Sequence, residues 1–449
     1  MLQTTHLDAI RYQILYSSVE KHILEPLASL FKDHEVSVLD CGFKSWYEVA
    51  QVVDRCIPRL YVMLAIATAH LSECEILSND LSQCILACQH PIKSIFLRIA
   101  FVRRSSYNIL DSWTEIYKWT ARYKRATKDE KVILYGFIDE VTVRLAETVD
   151  ESSYKGEIFP LLIEHITAER EDWGLQEHAL DCLIRHIPIK LHLETSAQLV
   201  GMIGLFAPGA DIVLQIKAVV RGIVNFLRNE EYDYQFKAMV DSFWSEIRVI
   251  FERRNSILSE RIKLTEFVID LACDLKQSYK VDQIASQLAD LLESDCDETL
   301  EPLVLRVAHI KIGNGVRQLI LRMEQKEHTL LQVIDLAENV ADAVNMACCC
   351  PELSIIQALN AKFEIQVLWP ELKKSFTVDK LALLLPLIRE TNLIQGIVSE
   401  FVRLTAGEEH LVEISIKVLL EHARVCAKEA MRYDLVAEVA YKSLGHLHI

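Results

Sequence analysis

The sequence predicts an all-α protein, folded as an extended HEAT-like α-solenoid of stacked antiparallel helix pairs. Apolar residues recur at helical spacing from end to end. The 449 residues include only 13 glycines and 10 prolines, against usual shares of about 7% and about 5%, so few residues suit tight hairpin turns. A chain of this length favours a solenoid over a compact bundle, because a solenoid extends its core by adding helix pairs.

The helical spacing is clearest in two segments. In KLTEFVIDLACDL, residues 263–275, the apolar residues follow i, i+3, i+4, i+7 spacing and therefore share one helix face. QEHALDCLIRHIP, residues 176–188, shows the same spacing, and Pro188 ends it because proline lacks a backbone N–H. We expect further breaks between helices at Pro160, at the PGAD segment 208–211, and at Pro302, Pro351, Pro370 and Pro386.

The most polar interruption near the middle of the chain is FERRNSILSER, residues 251–261. It predicts a soft boundary between an N-terminal α-solenoid half, residues 1–255, and a C-terminal half, residues 256–449, that continues the first. The net charge of −16 is spread along the chain. It disfavours nucleic acid as a partner over most of the surface.

The sequence gives no sign of export or of a membrane span. Its start, MLQTTHLDAIRYQILY, lacks the basic, apolar and small-residue regions of a secretory signal. The longest apolar runs, residues 61–71 and 381–388, are shorter than the about 20 residues that a spanning helix needs. Twelve cysteines without a disulfide-framework spacing indicate reduced thiols. We therefore expect a cytoplasmic protein.

One cluster of residues has the chemistry of a zinc site: His70, Cys74, Cys84, Cys88 and His90. Cys84 and Cys88 would share a helix face. Structural zinc ligands usually sit two residues apart on a tight turn, so packing of the cysteines as small hydrophobes is the favoured interpretation. For Cys348, Cys349 and Cys350 we expect packing at a helix end, since three adjacent residues cannot all face one ion.

The chain lacks the common catalytic and phosphate-binding motifs. It contains no nucleophile elbow, P-loop or dinucleotide loop, and GNG at 313–315 is a lone turn or helix start. Acidic side chains fall at positions that face solvent on amphipathic helices, where charge is ordinary. The sequence therefore predicts a protein that is not an enzyme and that uses no cofactor and no metal.

A basic stretch stands out in this acidic chain, YKWTARYKRATKDEK at 117–131. Such a helix end could contact anionic lipid head groups. A solvated helix face with its aromatic side chains turned inward is the alternative, and it is favoured on general grounds. The candidate membrane-contact patch consists of Lys118, Arg122, Lys124 and Arg125.

Two stretches place a proline and an arginine among large apolar residues: IPRLYVM at 57–63 and QHPIKSIFLR at 89–98. Proline is tolerated at a helix start, where the first N–H groups have no partner, so we expect Pro58 and Pro91 to begin helices. Arg59 would then present a forked set of donors at a helix end. Physical reasoning alone favours a buried ionic clip between two solenoid layers.

Both stretches also resemble a known family. IPRLYVM is similar to the PRLYLM signature of the retromer large scaffold subunit, the vacuolar protein sorting-associated protein 35 family, with Val62 in place of leucine. The second stretch is similar to that family's H-P-L-R-G-L-F-L-R, identical at His90, Pro91, Phe96, Leu97 and Arg98. Residues 176–195 resemble a third block of the family, matching at Gln176, Glu177, Cys182, Ile184, Pro188, His192, Leu193 and Thr195.

The resemblance is clear over residues 46–200 and fades towards residue 300. It implies a HEAT-like α-solenoid in which the PRLYLM region docks an arrestin-like subunit, here through Pro58, Arg59, Leu60, Tyr61 and Met63. The second block would be structural. The chain is much shorter than typical members, and we find no counterpart of their C-terminal proline-containing signature.

The function implied is that of a non-enzymatic scaffold in endosomal cargo sorting, carrying cargo from endosomes to the Golgi or the plasma membrane. Expected partners are the arrestin-like subunit, a metallophosphoesterase-like subunit, sorting nexins and cargo tails, with peripheral contact to endosomal membranes. Two alternatives stay open: a retriever-type scaffold, and a generic helical-repeat adaptor such as a nuclear-transport receptor.

Overall fold

The computed structural model describes residues 7–33, 41–71, 74–169, 171–229, 236–254, 258–292 and 298–376. Throughout these ranges the regular secondary structure is helical and contains no β-strand, which confirms the predicted all-α class. The contacts between Cα atoms divide the helices into two units, and the boundary between the units falls between Ser256 and Ile257.

The helices of the first unit follow one another with short connections. Their bounds are α1 Ala9–Val19, α2 Glu25–Asp33, α3 Cys41–Gln51, α4 Cys56–Ala67, α5 Glu75–Leu86, α6 Pro91–Val102, α7 Ile109–Arg122, α8 Lys128–Thr148, α9 Glu151–Ser153, α10 Phe159–Ala168, α11 Trp173–His186, α12 Ile189–His192, α13 Ser196–Ile203, α14 Ile212–Asn229 and α15 Phe236–Arg254. A π-helical turn, Glu20–Leu24, joins α1 to α2, and a second, Tyr154–Ile158, joins α9 to α10.

The second unit contains shorter helices. These are α16 Leu258–Asp274, α17 Val281–Asp290, α18 Glu301–Ile310, α19 Asn314–Arg322, α20 Glu327–Leu336, α21 Val340–Ala347, α22 Leu353–Lys362 and α23 Ile365–Ser375. Short 3₁₀ turns, Ser278–Lys280 and Glu298–Leu300, precede α17 and α18. The next predicted break, at Pro386, lies outside the described residues.

Each unit is packed as an α-solenoid. In the second unit α18, α20 and α22 contact one another in order, while α17 contacts α19 and α21 contacts α23. In the first unit α4 contacts both α5 and α6, and α6 contacts both α7 and α8. Contacts to the next helix and to the next but one are the pattern of stacked helix pairs, as the sequence predicts.

Two of the predicted breaks are wrong. Pro160 lies in α10, directly after the π turn. That turn already replaces the usual hydrogen-bond pattern by i to i+5 bonds, so the missing proline N–H falls where the ladder is irregular. Pro370 lies inside α23. It removes one helical hydrogen bond, but Leu368 and Leu372 on either side are fully buried and hold the helix in place.

The GNG segment begins α19, where it lets two helices approach closely. The Gly315 N–H donates to Oδ1 of Asp282 in α17 at 2.7 Å. A Cβ atom at Gly313 would lie 2.4 Å from the same carboxylate oxygen, and one at Gly315 would lie 2.4 Å from the Asp282 carbonyl oxygen. Glycine is needed here for this close approach of α17 and α19.

Candidate docking site

The PRLYVM stretch forms the first two turns of α4. The helix begins at Cys56, so Pro58 is its third residue, where the backbone N–H would have no helical partner. Pro91 is the first residue of α6, as expected. Both prolines therefore lie in first turns.

The stretch divides into a buried part and an accessible part. Leu60 and Tyr61 are 1% exposed and Met63 is 2% exposed, whereas Pro58 and Arg59 are partly exposed. The three buried side chains pack inside the first unit and leave no surface for direct contact with a partner. The predicted contact set therefore narrows to Pro58 and Arg59.

Arg59 does not form the buried ionic clip that physical reasoning alone favoured. Its Nη1 donates to the carbonyl oxygen of Gln51, the last residue of α3, at 3.3 Å. The arginine thus caps the C-terminal end of α3, where cationic side chains interact favourably with the helix dipole. The contact fixes α3 against the start of α4.

Beside Arg59, α3 and the residues after it expose an apolar stripe that the sequence reasoning missed. Trp46, Val49 and Val53 are spaced i, i+3 and i+7, and they are 60%, 58% and 40% exposed. The ring centroid of Phe31 in α2 lies 6.3 Å from that of Trp46. The apolar spacing in SWYEVAQVV was the signal available, but the sequence does not tell which face of a short helix is buried. Exposed apolar patches of this kind are typical of interaction sites.

The second sequence block is buried from Ile92 onward in α6, whereas Gln89 is exposed and His90 and Pro91 are partly exposed. Phe96, Leu97 and Arg98 have no exposed surface, and the Phe96 ring centroid lies 4.9 Å from those of Tyr12 and Phe137. These aromatic contacts join α6 to α1 and α8.

Arg98 is a buried cation with few partners. Its Nη1 donates to Oγ of Ser82 at 3.4 Å, and its Nε and Nη2 atoms have no hydrogen-bond partner among the described residues. Burial lowers the pKa of Arg98, an effect that the negative charges of Glu115 and Asp111 oppose.

The start of α6 has an ordinary N-terminal cap, because Nδ1 of His90 accepts from the Lys93 N–H at 3.5 Å.

The candidate zinc ligands do not form a visible ion site. Within the described ranges, no group of three or more His, Cys, Asp or Glu is arranged to hold a metal ion. Burial raises the pKa of the Cys84 and Cys88 thiols, which favours the neutral form over the metal-binding thiolate. Cys349, just past α21, likewise has its pKa raised by burial to about 11. All three cysteines, Cys348, Cys349 and Cys350, follow the last residue of α21, Ala347.

The basic stretch at the end of α7 turns its aromatic side chains inward. Trp119 is 8% exposed, and the guanidinium of Arg122 lies 4.9 Å from its ring centroid. Lys118 donates to Glu115 at 3.4 Å, and Lys124 pairs with Glu171. Part of the positive charge is therefore balanced by carboxylates of the same chain, and Arg125 is exposed.

Comparison with known proteins identifies the family of this chain. The family model described as Vacuolar protein sorting-associated protein 35 matches residues 113–437, which is most of the 449-residue chain. The chain belongs to this family. Its match begins after α4 and α6, so the third sequence block lies inside it and the first two lie before it. The match also continues well past residue 300, where the sequence resemblance faded.

Curated members of the Vacuolar protein sorting-associated protein 35 family are similar at low identity. The Arabidopsis thaliana protein 35C is 25% identical over 263 residues, covering 51% of this chain and 32% of its own length. The Dictyostelium discoideum protein is 24% identical over 242 residues, covering 46% and 31%. The Schizosaccharomyces pombe protein is 22% identical over 223 residues, covering 41% and 26%. The chain thus matches about a third or less of these relatives' length.

Inside the family match, Gln176 of α11 joins three parts of the backbone. Its Nε2 donates to the carbonyl oxygens of Ile166 at 2.9 Å and Glu169 at 2.5 Å. Its Oε1 accepts from the Ala207 N–H at 2.7 Å. Gln176 is fully buried, so these bonds satisfy buried backbone groups in and after α10 and α13. The Ile166 carbonyl oxygen also accepts from the Tyr117 hydroxyl, at 3.5 Å.

His192, from the same block, is a buried neutral histidine. The Tyr154 hydroxyl and His192 Nδ1 are 2.8 Å apart, and Nε2 faces the Leu183 carbonyl oxygen at 3.4 Å. Burial lowers the pKa of His192 to about 4, although the bond to Leu183 opposes the shift. This part of the family block serves the fold.

Along the described helices, none is at once long enough and apolar enough to cross a membrane.

Proposed function

We propose that this chain is a non-enzymatic scaffold subunit of a retromer-like complex, sorting cargo from endosomes to the Golgi or the plasma membrane. Family membership supports the scaffold role, and the curated relatives carry vacuolar protein sorting in their names. The helix-only described structure agrees with a protein that works by presenting surfaces. The chain would act on the cytoplasmic side of endosomal membranes, as a peripheral component.

The first unit would dock an arrestin-like subunit at the start of α4. The observation that supports this most is the accessible pair Pro58 and Arg59 beside the exposed apolar residues Trp46, Val49 and Val53. An exposed apolar stripe on a helix whose last residue bonds to an arginine has the composition of an interaction hot spot, in which aromatic residues and arginine are enriched. Leu60, Tyr61 and Met63 would support this surface from inside.

Binding to a purified arrestin-like retromer subunit tests the proposal. We expect Arg59→Trp to abolish binding in a calorimetric titration, because it removes the cap on α3 and the charge at the edge of the stripe. Far-ultraviolet circular dichroism should be unchanged, since Arg59 is partly exposed. Arg253→Trp, the same change at an exposed arginine of α15, is the control and should bind as the wild type does. Wild-type binding by Arg59→Trp would remove the docking assignment.

On the basis of family membership we also propose the metallophosphoesterase-like subunit, sorting nexins and cargo tails as partners. Lipid contact by Lys118, Arg122, Lys124 and Arg125 is proposed from the positive charge of that stretch. Affinity purification from the native cell should recover the arrestin-like subunit in stoichiometric amount. Recovery of a transport GTPase in its place would favour the helical-repeat adaptor, and recovery of retriever subunits would favour that scaffold.

A further inference from the structure

The N-terminal segment that precedes the docking site packs across it from behind. Residues 7–33, which comprise α1, the π turn and α2, contact α4, α6 and α8. Three buried residues of α1 are spaced three and four apart and so form one stripe: Ala9, Tyr12 and Tyr16. Leu24, at the end of the π turn, is also buried. We call this segment the N-terminal strap.

Its start and its middle are held by specific contacts. The Ala9 N–H donates to Oε1 of Glu130 at 3.0 Å, and Glu130 is 3% exposed. The same oxygen accepts from the Tyr123 hydroxyl at 2.8 Å. Farther along, Glu20 forms an ion pair with Arg104, just past α6, with side chains only 14% and 9% exposed. Polar contacts therefore hold the strap on both sides of Tyr16, at Ala9 and at Glu20.

Between these two attachments, Tyr16 meets the docking helix directly. Its ring centroid lies 5.7 Å from that of Tyr61 in α4 and 5.5 Å from that of Phe96 in α6. Tyr16 is 3% exposed and Tyr61 is 1% exposed. A substitution at Tyr16 would therefore open space between α1, α4 and α6 at one point.

The position of Tyr61 on α4 connects this contact to the docking surface. Arg59 and Tyr61 are two residues apart, which places them about 200° apart around a helix of 3.6 residues per turn. When Tyr61 is held against Tyr16 and Phe96, the opposite side of α4 is fixed towards solvent, and that side carries Arg59. The rotation of α4 about its axis is then set by the strap.

From this geometry we infer that Tyr16 is a positioning residue for docking. It touches no partner, but it fixes α4 in the rotation that presents Pro58 and Arg59 to the arrestin-like subunit. The inference rests on the proposed function for its binding readout. The orientation of α4 in the free protein is a second readout that does not depend on that function.

The test compares three variants of the full chain. Tyr16→Ala removes the ring contact. Tyr16→Phe keeps the ring, and Ile14→Ala truncates a residue that is 67% exposed on the outer face of α1. We expect amide hydrogen exchange at Leu60–Leu64 to be at least about tenfold faster in Tyr16→Ala, while exchange in α11 and in the second unit stays at the wild-type rate. Tyr16→Phe and Ile14→Ala should exchange as the wild type does.

The affinity for the purified arrestin-like subunit should fall by about tenfold or more in Tyr16→Ala and recover in Tyr16→Phe. Unchanged exchange in α4 would overturn the inference, as would faster exchange spread evenly over the whole first unit, which indicates general loss of stability. If Tyr16→Ala does not fold, Glu20→Gln gives a milder release of the strap and is expected to speed exchange in α4. If the wild-type chain does not bind the subunit, the proposed function is refuted. If Tyr16→Ala then still shows faster exchange in α4 than the wild type, the role of Tyr16 in holding α4 stands.

Discussion

Helices α4 and α11 each carry a sequence block of the family, but the two blocks do different things. In α4 the polar residue, Arg59, is partly exposed and bonds to the end of α3. In α11 the polar residue, Gln176, is fully buried and holds three backbone groups. A resemblance in sequence is therefore not by itself a sign of a binding surface. The exposed fraction of the side chain distinguishes Arg59, which a partner could reach, from Gln176, which it could not.

The largest effect should come from breaking the α11 block. Gln176→Leu keeps the approximate volume but leaves the Glu169 carbonyl group and the Ala207 N–H without these bonds, while the Ile166 carbonyl keeps its 3.5 Å bond from the Tyr117 hydroxyl. Each such group costs about 1–3 kcal/mol, so we expect a loss of about 4 kcal/mol in the free energy of unfolding, measured by urea denaturation. Gln198→Leu, the same change at an exposed position of α13, is the control and should change the free energy of unfolding by less than about 0.5 kcal/mol. Equal losses in both variants would contradict this view of α11.

A pH titration should give the next largest effect in the same block. The pKa of His192 is lowered from 6.5 to about 4 in the folded protein, so the unfolded chain takes up the proton first as the pH falls. The His192 contribution is fully present above pH 6.5 and decreases between pH 6.5 and 4. It amounts to about 3 kcal/mol.

His192→Gln supplies the reference for that titration, because its amide does not titrate but can still bond to Tyr154 and Leu183. The free energy of unfolding, measured with urea at a series of pH values, should decrease more steeply with acid in the wild type than in this variant. Parallel curves would show that His192 does not stay neutral in the fold.

The smallest effect on stability should come from Arg98. Its side chain is buried like that of Gln176, but it forms fewer hydrogen bonds. Replacing a buried charge by an apolar side chain of similar shape is often neutral or stabilising. We expect Arg98→Met to leave the free energy of unfolding unchanged or to raise it by about 1 kcal/mol. Ser82→Ala removes the hydrogen-bond acceptor that the described residues offer to Arg98 and should be mildly destabilising. A loss above about 2 kcal/mol in Arg98→Met would indicate that the guanidinium forms stabilising bonds beyond the one to Ser82.

Much of the fold could be predicted from the sequence because helix periodicity is local. The stripe at 263–275 and the stop at Pro188 depend only on residues within a few turns, and α16 and α11 have them as expected. The rule that proline ends a helix failed at Pro160 and Pro370. A π turn compensates for the missing hydrogen bond at Pro160, and buried neighbours compensate for it at Pro370.

The candidate site was less predictable because its parts are distant in sequence. The motif located Arg59, but it could not show that Leu60, Tyr61 and Met63 pack inward. That packing depends on Tyr16, Phe96 and the strap, whose first hydrogen bond joins residues 121 positions apart. No local pattern marks such a contact. The exposed stripe of α3 was missed for a related reason, because its burial depends on neighbouring helices.

The stacking of helices on their nearest neighbours has a consequence for how such proteins change length during evolution. Because α18, α20 and α22 each contact adjacent helices of their own layer, no single central core has to be rebuilt when a pair is gained or lost. Whole pairs then become units of insertion and deletion. The packing of the helices on either side of such a change stays as it is.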